Sequence, residues 1–122
     1  MKLPIDRNAF SEFIRQSDIF GTTWKAMERC LKNWYSDDRE QFVDDMRSDL
    51  ETVIKTYRFH NTMVSFDKDF SFDPPLDTIT CTITINDGEG GPCMFYRAIF
   101  DYDLNIIDDI ISPCPLCSSK RV

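Results

Sequence analysis

No apolar run in this 122-residue chain approaches the ~20 residues that span a bilayer, so a membrane-spanning helix is not expected. The opening segment Met1-Lys2-Leu3-Pro4-Ile5-Asp6 lacks the apolar core of a secretory signal, and a cytoplasmic location is expected. No GxSxG, Walker loop, dinucleotide fingerprint or HExxH motif occurs. There is one histidine, no internal repeat and no low-complexity tract. Bases are scarce in the second half. Residues 61–122 hold four bases against ten acids, and two of the four are Lys120 and Arg121. Residues 1–60 are nearly balanced, eleven acids against ten bases, within a total of −7. Such a surface repels nucleic acid and anionic membrane and attracts basic partners. The plainer reading is that the charge serves solubility alone.

What is present is enough for one folded domain, residues 1–122. Ten Phe, four Tyr and two Trp supply the bulk of a core, at roughly 150–250 Å² buried per ring. The hydrophobic period changes near residue 60. Before it, Trp24, Met27, Leu31, Trp34, Phe42, Met46, Leu50, Val53 and Tyr57 recur at helical spacing. After it, Val64, Phe66, Phe70 and Phe72, then Ile79, Cys81, Ile83 and Ile85, alternate. That pattern predicts an α+β fold: N-terminal helices (6–60) packed on a four-stranded antiparallel meander (61–112), with a tail at 113–122.

Three helices are expected, at 8–17, at about 23–35 after Gly21, and from Asp37 to about Tyr57. Asp37 and Glu40 have capping-box spacing. The β-branched run from Thr52 also allows a strand to begin there. Strands are expected at 62–72, 77–86, 93–102 and 106–112. Asp73-Pro74-Pro75 ends the first, and the glycine-rich loop 86–92 joins the second to the third. The third strand is apolar on both faces, with Phe95 and Ile99 opposite Met94, Tyr96, Ala98 and Phe100. Helices cover only one face, so the other meets a second copy, a partner or the tail.

Five cysteines, an odd count, with Cys30 and Cys81 on apolar faces, read as reduced thiols. Cys114-Pro-Leu-Cys117 resembles a zinc knuckle, but no second CxxC supplies the other ligands. Cys93, Cys81, His60 or a twin subunit would have to complete it. Two ordinary thiols and no cofactor is the favoured reading. His60 sits where the two halves meet; it reads as a general base or as a hydrogen-bonded boundary residue. Asp67-Lys-Asp69-Phe-Ser71-Phe-Asp73 imitates half a calcium loop, but Phe72 stands where glycine is needed and Thr78 where glutamate is needed. Alternation places Asp67, Asp69 and Asp73 on one sheet face, a carboxylate row suited to Arg or Lys of a partner. The adjacent pairs Asp44-Asp45 and Asp108-Asp109 point apart and make no acid/base dyad.

The segments 34–46 and 95–107, with their acidic turn before an amphipathic helix and their aromatic strand turning back at an acidic bend, resemble nuclear-transport-factor-2-like, or SnoaL-like, proteins. The resemblance implies a cone-like α+β fold, frequent dimers and, in some members, a small-molecule pocket between helices and sheet. It carries no catalytic residue to this chain. Two functions are therefore expected in competition. The first is a binding protein of the inhibitor or immunity type that masks a basic, nucleic-acid-binding partner through Asp67, Asp69, Asp73, Asp101 and Asp103. The second is a small-molecule isomerase, cyclase or ligand-binding protein, its pocket lined by Trp24, Phe66 and Tyr96 with His60 moving a proton. A homodimer joined through the sheet is a third expectation.

Overall fold

A computed structural model describes residues 6–114. Four helices precede four strands: α1 (Arg7–Ser17), α2 (Ile19–Asp37), α3 (Arg39–Met46), α4 (Leu50–Thr56), β1 (Arg58–Asp69), β2 (Leu76–Asn86), β3 (Cys93–Phe100) and β4 (Ile106–Pro113). The strands form one antiparallel meander, β1-β2-β3-β4. The expected layering of helices on a four-stranded antiparallel sheet is the one observed.

The helix boundaries follow local capping. Asp6 opens α1 by accepting from the N–H groups of Asn8 and Ala9 at 2.9 and 3.2 Å. The break before α2 lies at Asp18, left-handed at φ 50°, and Gly21 is helical. A lone glycine costs a helix only about 1 kcal/mol, which the buried stripe Ile19, Thr23, Met27 and Leu31 outweighs. Asp38, not Asp37, caps α3, accepting from the Gln41 N–H at 3.2 Å.

The stretch expected as one third helix is two. Arg47 takes φ 62° and its N–H closes on the Val43 carbonyl at 2.8 Å; Asp49 then caps α4 through the Thr52 N–H, also at 2.8 Å. The turn between them lets Phe42, Met46 and Val53 all reach the core. A left-handed residue with a Cβ costs roughly 1–2 kcal/mol, part of which glycine returns as extra freedom of the unfolded chain. Arg47→Gly is therefore expected to raise stability by about 0.5–1 kcal/mol, read as a higher urea midpoint at unchanged slope.

In β2 the alternation is complete. Ile79, Cys81, Ile83 and Ile85 face the helices and are buried, joined there by Met94, Tyr96, Ala98 and Phe100 of β3. The other face carries Thr78, Thr80, Thr82 and Thr84, opposite Phe95, Arg97 and Ile99. β1 starts earlier than expected, at Arg58, and ends earlier, at Asp69. A bulge at Thr62 shifts its phase, so that Phe59 and Asn61 above it and Val64 and Phe66 below it all face the helices. Phe70 and Phe72, expected on that inner face, lie beyond the strand in the turn and are exposed.

Candidate functional site

In a meander the β1–β2 and β3–β4 turns fall at the same end of the sheet, and five candidate aspartates gather there. Asp67 and Asp69 share the last turn-ward stretch of β1, Asp73 lies in the following turn, and Asp101 and Asp103 lie in the turn after β3. Their chemical states differ. Asp67 is half-buried and accepts from the hydroxyls of Thr80 at 2.7 Å and Ser65 at 3.1 Å. Asp69 shapes the turn, accepting from the Ser71 hydroxyl at 2.6 Å and its N–H at 2.9 Å; those bonds hold its carboxyl below the usual carboxylate range. Asp101 does the same for its own turn. It accepts from the N–H groups of Asn105 and Asp103 at 3.0 and 2.9 Å, and chiefly the Asn105 amide lowers its pKa. Asp73 and Asp103 are exposed, and among the described residues their carboxylates hold no partner. The row expected on one sheet face is thus a cluster at one end of the sheet, because β1 stops at Asp69.

Aromatic rings share that end. Phe70 is 74% exposed, Phe72 54% and Tyr102 57%. Phe66 ties the two turns to α1: its ring lies 5.2 and 5.4 Å from those of Phe10 and Phe13 and 6.1 Å from that of Tyr102. Lys68, at this end of β1, pairs with Asp77 at 3.0 Å, and Arg97 of β3 lines the adjoining cleft. The alternation of the sequence does not reveal that these rings are exposed. Asp69-x-Ser71 is the signal that could have found them, since an aspartate bonded two residues ahead ends a strand.

The residues of the pocket reading are not brought together. Tyr96 is fully buried, and its hydroxyl donates to Asp109 at 2.8 Å. Trp24 is half-buried at 5.3 Å from the Phe59 ring, with its indole N–H on Asn61 at 2.8 Å. Phe66 sits at the loop end. His60 pairs with Thr84 on the opposite face of the sheet, exposed. The imidazole and Trp24 therefore face opposite sides of the same sheet, and the layer between them is filled.

Cys81 lies in the core, and burial pushes its thiol pKa up; burial also raises that of half-buried Cys30, helped by the charge of Asp109. Both suit the reading of inert, reduced thiols. Cys114 is buried beside Cys93, to whose carbonyl its N–H donates at 2.9 Å. Of the residues that could complete a zinc site with Cys114, Cys93 is adjacent, while Cys81 faces the other side of the sheet and His60 lies on β1. Cys117 lies outside the described residues. Among the described residues no group of three or more His, Cys, Asp or Glu could hold a metal ion. Asp108 and Asp109 point to opposite faces, as adjacent strand residues must.

Comparison with known proteins finds no matching family model, no similar curated protein and no similar solved structure. Among the described residues no helix is long and apolar enough to cross a membrane.

Proposed function

We propose that this chain is a small cytoplasmic protein-binding module, of the inhibitor or immunity kind, whose loop end masks a basic surface on a nucleic-acid-binding partner. One observation carries the reading: carboxylates and exposed rings are interleaved over two adjoining turns, and the lysine beside them is already paired. Carboxylates give steering and register toward arginine and lysine, and exposed rings give the apolar area that a charged patch alone lacks. Turns fixed by Asp69 and Asp101 hold the surface ready before contact, which lowers the ordering cost of binding.

The test uses the two carboxylates that no turn depends on. Partners are captured at low salt and identified by mass spectrometry, and association is then timed across a salt series. Asp73→Asn with Asp103→Asn is expected to slow association roughly tenfold at low ionic strength and to flatten its salt dependence. Equal rates for the wild type and the double variant would remove the reading.

The alternative of a pocket between helices and sheet gains no support from a layer filled by Phe42, Tyr96 and Phe100. A homodimer through the sheet would use its outer face, not the β4 edge. The Cys114–Cys93 bond turns residues 108, 110 and 112 toward β3, leaving 109, 111 and 113 as the outward positions. Asp109 spends its N–H on the Asp108 carboxylate at 2.9 Å, and Pro113 has none. Such an edge resists extension by another strand. Kinship with the nuclear-transport-factor-2-like group stays part of this proposal; helices on one face of an antiparallel sheet agree with it.

A further inference from the structure

We propose that the outer face of the sheet binds a small organic carboxylate with an apolar body, anchored by Arg97. The cleft adjoins the loop-end surface and shares Asp67, Asp69, Phe70 and Phe72 with it, but its anchor, Arg97, lies on the central strand β3. A cleft of about 770 Å³ lies over the sheet from β1 to β4 and beside the β1–β2 turn, where Met63, Phe72, Ile99 and Ile107 provide apolar walls and Thr80 and Arg97 are among the polar ones.

Arg97 is half-buried on a central strand, with its guanidinium carbon 4.8 Å from the centre of the Phe95 ring. Stacking fixes the plane of the fork. Among the described residues its donors meet no carboxylate and no other acceptor. Directly opposite it in register is Thr82, flanked on its other side by Met63. Thr82 is 1% exposed, and its hydroxyl has no hydrogen-bond partner among the described residues. Thr82 is not among the residues that line the cleft, so the anchor there is Arg97 alone. Arg97 thus offers an unmatched fork on a concave surface that also has apolar walls, which is the composition of a ligand site.

The charge of the ligand follows from the neighbours. Asp67, Asp69 and Asp108 also line the cleft, as does Lys68, which is paired with Asp77. Asp67 already serves Thr80 and Ser65, and Asp108 the Asp109 amide. They leave Arg97 unpaired yet oppose a second negative charge, so one carboxylate fits and a phosphate dianion does not.

Titration of the full chain with 3-phenylpropionate, followed by two-dimensional NMR, tests the site. Saturable shifts are expected at the amides of Thr80, Thr82, Arg97 and Ile99, with binding at least tenfold weaker for 3-phenylpropionamide and for inorganic phosphate. Arg97→Gln should weaken the acid at least tenfold and leave the amide unchanged. Asn at Asp73 and Asp103 should change nothing here, which separates this site from the loop-end surface. Acid and amide binding equally, or an Arg97→Gln variant binding as the wild type does, would overturn the proposal. Shifts at these amides that follow protein concentration instead of ligand would also overturn it, by assigning the face to a second copy.

Discussion

Phe42→Ala is expected to cost about 3–5 kcal/mol, a large share of the stability of a domain this size. Phe42 is fully buried, and its ring meets those of Trp34 at 4.8 Å and Tyr35 at 5.0 Å, edge to face. It is the main link between α2 and α3, and α3 has only eight residues. A helix that short does not persist in water on its own, so its order depends on this burial. The alanine variant leaves a cavity between two helices and frees the segment that carries Met46 inward. Urea unfolding should show the midpoint falling accordingly, and amide exchange in 39–46 should rise more than exchange in β2. Val43→Ala, next in the chain but 40% exposed, is the control and should change stability by less than about 1 kcal/mol. Similar losses at both positions would mean that α3 is not held through Phe42.

The parts of this fold that could be read in advance are those where one residue type repeats under one constraint. In β2, Ile79, Cys81, Ile83 and Ile85 alternate with four threonines, and a strand with one face in a core has no other arrangement open to it. β1 resists the same reading because the bulge at Thr62 changes the inward positions from 59 and 61 to 64 and 66. A period of two with a phase slip looks like the end of a strand. The helix breaks hide for a related reason. Asp18 and Arg47 occupy left-handed positions where glycine would have announced a stop, while Gly21 lies inside a helix.

The candidate sites were legible only as composition. A surplus of aspartate in the second half is plain, but which carboxylates are committed to turns is a matter of geometry. Asp69 and Asp101 resemble Asp73 and Asp103 in sequence and differ in what they hold. Apolar residues on both faces of β3 marked a face in need of cover. In the sequence Arg97, between Phe95 and Ile99, is only one of the two bases of the expected sheet, since its significance depends on the cleft above it and on its having no ion pair among the described residues.

Alkaline pH is expected to destabilise this protein, and Tyr96 is the main cause. Burial raises its pKa far above the ordinary phenol value, and the hydrogen bond donated to Asp109 and that residue's charge push the same way. Burial raises Cys81 likewise. In the unfolded chain these groups release their protons near 9 for a thiol and 10 for a phenol. Above those values the unfolded state has lost protons that the native state keeps, so stability falls as pH rises. Below pH 9 both states are protonated and neither group contributes a slope. The fall is about 1.4 kcal/mol per pH unit for each group whose native pKa is still ahead. Tyr96→Phe should remove the phenol's share of the slope above pH 10, at a cost near neutrality of about 1 kcal/mol for the lost bond to Asp109. Urea midpoints at pH 7, 9, 10 and 11 would show the two curves converging as pH rises. Parallel curves would mean that Tyr96 ionises in the folded protein as freely as in the unfolded chain, and that the phenol lies in a wetter place than its burial against β4 implies.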